Sequence, residues 1–354
     1  MAYQKGRGAT INPASRYLAT TSVSVEDGWD LPIEPCSAPR TQFFADRTVQ
    51  IITRNTSPDV PFDRSINAYK GCEHGCIYCF ARPTHAYLDL SPGLDFETKI
   101  FYKTNVRAHL IDELARPKYR CRTIAMGTNT DPYQPVERKL KITREILEVA
   151  LECKHPVSIV TKSHLVLRDV DLLRELARLR LVSVMISVTT LSNELKTKLE
   201  PRTAGPAARL RTIGKLRDEG IPVGSLIAPV IPFINDHELE AIVAAVADVG
   251  ALAAHYILLR LPLEVKELFE HWLSEHYPLK AERVMSVVRD TRGGKAYDST
   301  WGQRMRGTGV FADLLRTRFD VAMEKHGLRN ASLPKLRTDL FEPPTKATPQ
   351  LSLW

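Results

Sequence analysis

The sequence predicts an α/β protein in which a partial (β/α)6 barrel carries an irregular N-terminal arm and a basic C-terminal extension. Two observations predict the barrel. From Ser65 onward, short apolar runs rich in β-branched residues alternate with stretches of helical spacing, and each such stretch is long enough to cross between parallel strands. A third observation bounds the size: 44 % apolar residues in a chain of 354 can fill one large core or two medium ones. Right-handed crossovers restrict alternating βα units to an open doubly wound sheet or a barrel, and six similar units favour the partial barrel.

Residues 1–60 form the arm. Asn12-Pro13, Pro32, Pro35, Pro39 and Ser57-Pro58 interrupt any period there, so this stretch reads as irregular chain wrapping something larger. Residues 61–277 form the barrel. Strands are expected at Ser65–Tyr69, Thr123–Met126, Val157–Val160, Val182–Val188, Val223–Ala228 and His255–Leu259. Helices are expected at Val106–Ala115, Lys139–Leu151, Val170–Leu179, Ala207–Glu219, Glu238–Val249 and Glu264–Leu273. Past His276 the repetition stops, and residues 278–354 form the extension. Its stretch Arg283–Arg318 holds eight Lys or Arg against three acids, with Arg292-Gly293-Gly294-Lys295 and a run from Trp301 to Gly309 in which glycine, arginine and an aromatic alternate. A helix over Phe311–Glu324 follows, and contact with substrate or nucleic acid is the expected role.

No run of eighteen apolar residues appears, and Met1–Arg16 is polar, so a soluble, cytoplasmic protein without membrane contact is expected. The formal charge of +8 suits polyanions but is also common on ordinary soluble proteins. Six cysteines are too few and too uneven for a disulfide framework: three crowd between positions 72 and 79, while Cys36, Cys121 and Cys153 stand alone without a spacing signal.

In parallel architectures function gathers at the carboxyl ends of strands, which places the loops after Tyr69, Met126, Val160, Val188 and Ala228 around one site. The first of these loops reads Gly71-Cys72-Glu73-His74-Gly75-Cys76-Ile77-Tyr78-Cys79-Phe80. Soft thiolates at that spacing suit iron–sulfur or zinc. A cubane with three protein ligands leaves one iron open to a substrate or cofactor. A structural zinc would need a fourth ligand such as His74 or His85, and three buried core cysteines are the plainest alternative.

At this motif the sequence resembles the radical S-adenosylmethionine superfamily, whose signature is CxxxCxxC with an aromatic residue, here Tyr78, before the last cysteine. The resemblance implies a [4Fe–4S] cluster on Cys72, Cys76 and Cys79 and an S-adenosylmethionine whose methionine end binds the open iron. It further implies reductive cleavage to methionine and a 5′-deoxyadenosyl radical. Four more segments resemble the spore photoproduct lyase-like (DNA repair photolyase-like) group: Gly127-Thr128-Asn129-Thr130-Asp131, Val160-Thr161-Lys162-Ser163, Ile186-Ser187-Val188 and Pro222 to Pro229. The likeness runs from about Ser65 to Pro232 and returns weakly at Trp301-Gly302 and Gly307–Gly309.

Carried over by position, the resemblance implies that Thr130, Asp131, Lys162 and Ser187 hold the methionine and ribose groups, that Ala228 meets the adenine through its backbone, and that Tyr78 lies on the cofactor. A lysine ammonium suits a carboxylate and an aspartate suits an ammonium. Arg202 either faces the cofactor carboxylate or a phosphate, or is an ordinary helix-flanking arginine. Two positions depart from the lyase pattern. Thr128 stands where the hydrogen-donating cysteine would be, and Phe80 where the relay tyrosine would be; Tyr78, Tyr133 or Cys121 could substitute, although Cys121 lies at the wrong end of the sheet and is expected to be structural. The resemblance thus leads to a radical enzyme acting on nucleic acid, in repair or modification, with a reducing partner such as flavodoxin or ferredoxin and DNA or RNA as substrate. Alternatives are radical chemistry on a peptide or small metabolite, or a nucleic-acid-binding protein with a structural iron–sulfur or zinc site.

Overall fold

The structure, a computed structural model, describes residues 6–18, 40–330 and 332–345; Pro32, Pro35, Cys36 and Pro39 lie outside them. Its strands are β1 (Gln42–Asp46), β2 (Ile52–Arg54), β3 (Arg64–Ile66), β4 (Tyr69–Lys70), β5 (Lys99–Lys103), β6 (Ile124–Met126), β7 (Val157–Thr161), β8 (Val182–Ser187), β9 (Val223–Val230) and β10 (Ala254–Leu258). The main sheet has the order β10-β9-β8-β7-β6-β3-β2. Its six strands from β10 to β3 are parallel, and β2 adds an antiparallel edge. This is the expected α/β partial barrel.

Between the strands lie α1 (Leu94–Thr98), α2 (Val106–Leu114), α3 (Glu137–Leu140), α4 (Ile142–Glu152), α5 (Val170–Arg178), α6 (Asn193–Leu199), α7 (Pro206–Asp218) and α8 (Leu239–Asp248), followed by α9 (Val265–His276), α10 (Ala281–Asp290) and α11 (Val310–Lys325). The central strands are covered on both faces, so β8 reads Val-Ser-Val-Met-Ile-Ser with five of its six residues buried. Proline at the start of α7 occupies a position whose N–H has no helical partner anyway.

Three expectations need correction. The strand expected over Ser65–Tyr69 is split: β3 belongs to the main sheet, whereas β4 pairs antiparallel with β5 in a second sheet of order β1-β5-β4. Asn67 sits at the break, its Oδ1 accepting from the Asn129 N–H at 3.1 Å. The arm is not wholly irregular, because it supplies β1 and β2; β1 pairs parallel with β5, and all but its last residue are exposed, so no apolar alternation announced it. The extension holds an additional helix, α10, whose Val284, Met285 and Val288 pack with Leu268, Phe269 and Trp272 of α9. In α11, Leu315, Phe319, Ala322 and Met323 join the barrel core, with Phe319 4.8 Å from Tyr256 of β10. No helix among the described residues is long and apolar enough to cross a membrane.

Candidate active site

The cysteine loop is shaped by two glycines and one arginine. Gly71 and Gly75 have φ of +80° and +68°, and an added Cβ would stand 2.9 Å from the Phe96 carbonyl and 2.7 Å from Glu97 Oε2 respectively, so neither position accepts a side chain. Arg82 is fully buried under the loop. Its Nε donates to the Cys76 carbonyl (2.9 Å), its Nη1 to the carbonyls of Pro92 and Gly93 (3.1 and 2.9 Å), and its Nη2 to Glu97. Glu97 also accepts from the N–H groups of Gly8 and Ala9 at 3.0 and 2.8 Å, which lays the start of the arm against the loop.

Cys72 and Cys76 are buried and Cys79 partly so. Burial pushes all three thiols up, with Glu200 adding to the rise of Cys76, to about 12, and Asp131 to that of Cys72. Backbone N–H groups oppose this: Asp131 donates to Cys72, and Ala81 and Arg82 to Cys79. Donors aimed at sulfur fit thiolates that a metal holds deprotonated. Among the described residues, no group of three or more His, Cys, Asp or Glu converges closely enough for a single ion. The two histidines that could complete a zinc site point elsewhere: His74 Nδ1 faces Asp131 Oδ2 at 3.3 Å and His85 Nε2 the Lys99 carbonyl at 3.0 Å. Three spaced thiolates without a fourth ligand suit a cluster with an open corner better than zinc.

The loops after β6, β7, β8 and β9 meet beneath this one, as their register requires: Thr161 pairs with Ile186 and Ser187 with Leu226. Asp131 accepts four hydrogen bonds, from the Tyr133 N–H (2.9 Å), Thr161 Oγ1 (2.6 Å), the Lys162 N–H (2.8 Å) and His74. Burial pushes its pKa up, but the His74 charge and these donors win and hold it at about 2. All its lone pairs are occupied, so Asp131 orients His74 and the Lys162 backbone. Thr130 is buried with its hydroxyl on the Tyr69 carbonyl at 2.9 Å. Ser187 is buried, and Ala228 sits in β9 with its carbonyl 3.1 Å from Thr189 Oγ1.

Lys162 stands 5.9 Å from the Tyr78 ring centroid. Burial works against its charge, but Cys76 and Glu200 outweigh that and raise its pKa. Tyr78 is buried and donates its hydroxyl to Glu200. Glu200 is fully buried, accepts also from Thr189 at 2.7 Å, and pairs with buried Arg209, whose Nη1 reaches the Ser187 carbonyl at 3.0 Å. Burial would raise the Glu200 carboxyl, yet Arg209 and Lys162 bring it down to about 2. Glu200, Arg209 and Thr189 were not singled out from sequence. Glu200 stands two residues before Arg202, the residue of this segment that carries a sequence expectation. Arg202 instead pairs with Glu73 at 3.1 Å and lines an outer cavity of about 640 Å³, which no expected cofactor residue lines.

Beyond the loop, Phe80 is 47 % exposed and Trp301 53 %. The Arg260 guanidinium lies 5.2 Å from the Phe80 ring, and that of Arg304 4.4 Å from Trp301. Thr128 Oγ1 is 3.5 Å from Asn67 Oδ1, whereas Tyr133 is fully buried in the main core, away from this opening. Cys121 precedes β6, at the opposite end from the site, as expected.

The family profile of the radical SAM superfamily matches residues 66–246, half of the chain. The chain belongs to the radical SAM superfamily. It is an enzyme family whose cofactors are a [4Fe–4S] cluster and S-adenosylmethionine. An uncharacterized protein of Mycobacterium tuberculosis is 39 % identical to this radical SAM protein over 232 residues, 65 % of this chain and 68 % of that one. An uncharacterized protein of Methanocaldococcus jannaschii is 28 % identical over 219 residues, 62 % of this chain and 78 % of that one. Among solved structures, spore photoproduct lyase complexed with dinucleoside spore photoproduct superposes with a TM-score of 0.60 at 15 % identity, covering 81 % of this chain and 80 % of that one. A lyase variant with bound AdoMet and dinucleoside spore photoproduct gives 0.57 at 16 %, covering 81 % and 79 %. At such identities the likeness shows a shared fold.

Proposed function

We propose that Cys72, Cys76 and Cys79 hold a [4Fe–4S] cluster, and that the protein reductively cleaves S-adenosylmethionine to act on nucleic acid. The observation that carries the first part is the set of three sulfurs, two buried and one partly so, on a glycine-shaped loop, beside the Lys162 ammonium, with His74 and His85 both engaged elsewhere. Bound together and given one electron by an external reductant, the two cofactors would supply a 5′-deoxyadenosyl radical and methionine. The chain's own residues orient and shield. Lys162 offers its ammonium to the methionine carboxylate, and Glu200, locked by Arg209, keeps that ammonium charged. Tyr78 covers the cofactor and is held by its hydroxyl on Glu200. Asp131 and Thr130, the positions expected on the methionine and ribose groups, are engaged within the chain and fix the loop after β6 beside that site, while buried Ser187 and the Ala228 backbone of β9 face ribose and adenine.

Support for nucleic acid comes from two exposed aromatics, each with an arginine over its ring: Phe80 beside the cluster loop, and Trp301 in the basic extension. A second reading, a peptide or small metabolite, is favoured by the pairing of Arg289, Arg304, Arg316 and Arg318 with the chain's own acids, which leaves fewer cations for a phosphate backbone. Anaerobic reconstitution followed by reduction with dithionite is the test. The wild type yields 5′-deoxyadenosine and Cys76→Ala yields none; a mononuclear ion, or a cluster that releases no deoxyadenosine, overturns the proposal. Binding to single-stranded or duplex DNA that falls steeply with salt separates the nucleic-acid reading from the metabolite reading.

A further inference from the structure

We propose that Arg260, with the buried charge of Arg292 behind it, forms a phosphate subsite at the substrate opening, so that the group presented beside Phe80 belongs to a nucleotide. This rests on the substrate reading above and names the chemistry of its anchor. Arg260 lies two residues past the end of β10, the last strand of the barrel, and its guanidinium stacks on Phe80, the neighbour of Cys79. Arg292 follows α10 and is 2 % exposed.

Neither arginine forms an ion pair among the described residues. Arg292 donates from Nη1 to the Gln303 carbonyl (3.0 Å) and from Nη2 to that of Leu259 (2.9 Å), which fixes its plane without neutralising it. Among the described residues Arg260 donates only to Met305 Sδ (3.3 Å) and the Tyr297 hydroxyl (3.4 Å), both weak acceptors or long contacts. The Nε atoms of both are buried and without a partner. Burial and the Arg260 charge together depress Arg292 to about 10, far below the ordinary guanidinium range.

Two neighbouring guanidiniums, one of them buried, are costly without an anion between them. The plainest alternative is that ring faces and carbonyls are compensation enough. Cation–π contacts with Phe80 (5.2 Å) and Tyr297 (5.9 Å) do support Arg260, but Arg292 hydrogen-bonds to carbonyls alone, and the Asp298 charge, which forms no ion pair with it, does not offset burial and Arg260. Arg82 shows what a compensated arginine looks like here: every donor group has an acceptor and a carboxylate closes the set. A phosphate accepts from the half-buried Arg260 fork and meets the charge of Arg292, whose own terminal nitrogens are turned to carbonyls behind it, while the adjoining Phe80 and Tyr297 rings give a base a surface to stack on. That combination of anion and aromatic face selects a nucleotide over a peptide carboxylate.

The test uses the full-length reconstituted protein under anaerobic conditions and three probes: thymidine, thymidine 5′-monophosphate and an eight-residue oligothymidylate. Binding is followed by equilibrium dialysis or anisotropy at several salt concentrations, for the wild type, Arg260→Gln and Arg260→Lys. The expected result is about tenfold weaker binding of both phosphate-bearing probes by Arg260→Gln, with a salt slope reduced by about one and partial rescue by Arg260→Lys. Thymidine binding is unchanged by either substitution. Loss confined to the oligonucleotide assigns the subsite to a phosphodiester; loss for both assigns it to any nucleotide phosphate. Unchanged affinity and slope in a folded Arg260→Gln protein overturn the proposal. Deoxyadenosine formation by the wild type without these probes is measured separately, so failure of the radical reading is distinguishable from failure of the subsite.

Discussion

The cysteine loop and the stretch 289–306 are each built around a buried arginine, and the two are compensated in opposite ways. Arg82 meets four acceptors, one of them the Glu97 carboxylate, and neither partner of that pair is exposed to solvent. Arg292 hydrogen-bonds to carbonyls alone among the described residues, with Nε unsatisfied and the charges of Arg260 and, in opposition, Asp298 acting on it. The first region is electrically closed, which suits a cradle that must hold three sulfurs in fixed positions. The second is left open, which suits a place where something charged arrives and leaves. Formal charge in the sequence does not distinguish them; the arrangement of acceptors does.

The sharpest way to break this comparison is to open the closed region. Arg82→Met removes the partner of a buried carboxylate, and breaking a buried pair from one side costs about 3–5 kcal/mol. Denaturant unfolding of the apoprotein reports that loss, and iron and sulfide analysis after reconstitution reports collapse of the loop. Adding Glu97→Gln removes the stranded charge, so the double variant recovers part of the stability. Equal loss in single and double variants would show that Arg82 acts through its carbonyl contacts instead.

The two regions were unequally legible in the sequence. The six parallel strands could be read because each is a short run buried on both faces, such as Val-Ser-Ile-Val-Thr in β7, followed by a helix long enough to return. The three cysteines could be read because a trio of thiols on a glycine-flanked loop has few other uses. What escaped is set by contacts distant in sequence. Strand β1 exists through its pairing with β5, some fifty residues on, and its exposed Phe43 and Phe44 carry no alternation to announce it. Glu200 matters through Tyr78, Lys162 and Arg209, none of them a sequence neighbour, so its role becomes visible once the loops converge. The extension is legible as basic and as ending in a helix, but not the packing of α10 and α11 against the barrel or the burial of Arg292, which depend on partners distant in sequence.

A smaller change probes how far the closed region extends toward the expected cofactor. Tyr78→Phe keeps the ring over which Lys162 lies and removes the donor to Glu200. Hydrogen bonds to a buried charge are worth about 2 kcal/mol, and that is the stability loss expected by urea unfolding. Cluster content stays at the wild-type level because the three sulfurs are untouched. S-adenosylmethionine affinity, measured by dialysis, falls a few-fold as Lys162 loses its fixed neighbour. Lost cluster with unchanged stability would move Tyr78 from the cofactor side to the cluster cradle.

The smallest effect is expected within the open region itself, at the arginine that only looks available. Arg304 belongs to the alternating glycine and arginine motif and stacks on exposed Trp301, yet it is ion-paired with Asp59 and hydrogen-bonded to Ser57 Oγ at 2.6 Å. Asp59 also accepts from the Gly302 N–H at 2.6 Å, so the pair ties the loop at 57–59 to the one at 301–304. The two side chains are 17 % and 6 % exposed, and glutamine keeps a donor for Asp59, so Arg304→Gln is expected to lower stability by about 1–2 kcal/mol. Because the guanidinium is already neutralised by the chain's own carboxylate, it has little counterion to release. The salt slope for oligonucleotide binding therefore stays at the wild-type value in Arg304→Gln, while it falls by about one in Arg260→Gln. If Arg304→Gln lowers the slope as much as Arg260→Gln does, Asp59 yields to phosphate. The distinction between paired and unpaired arginines in this stretch then carries no functional meaning.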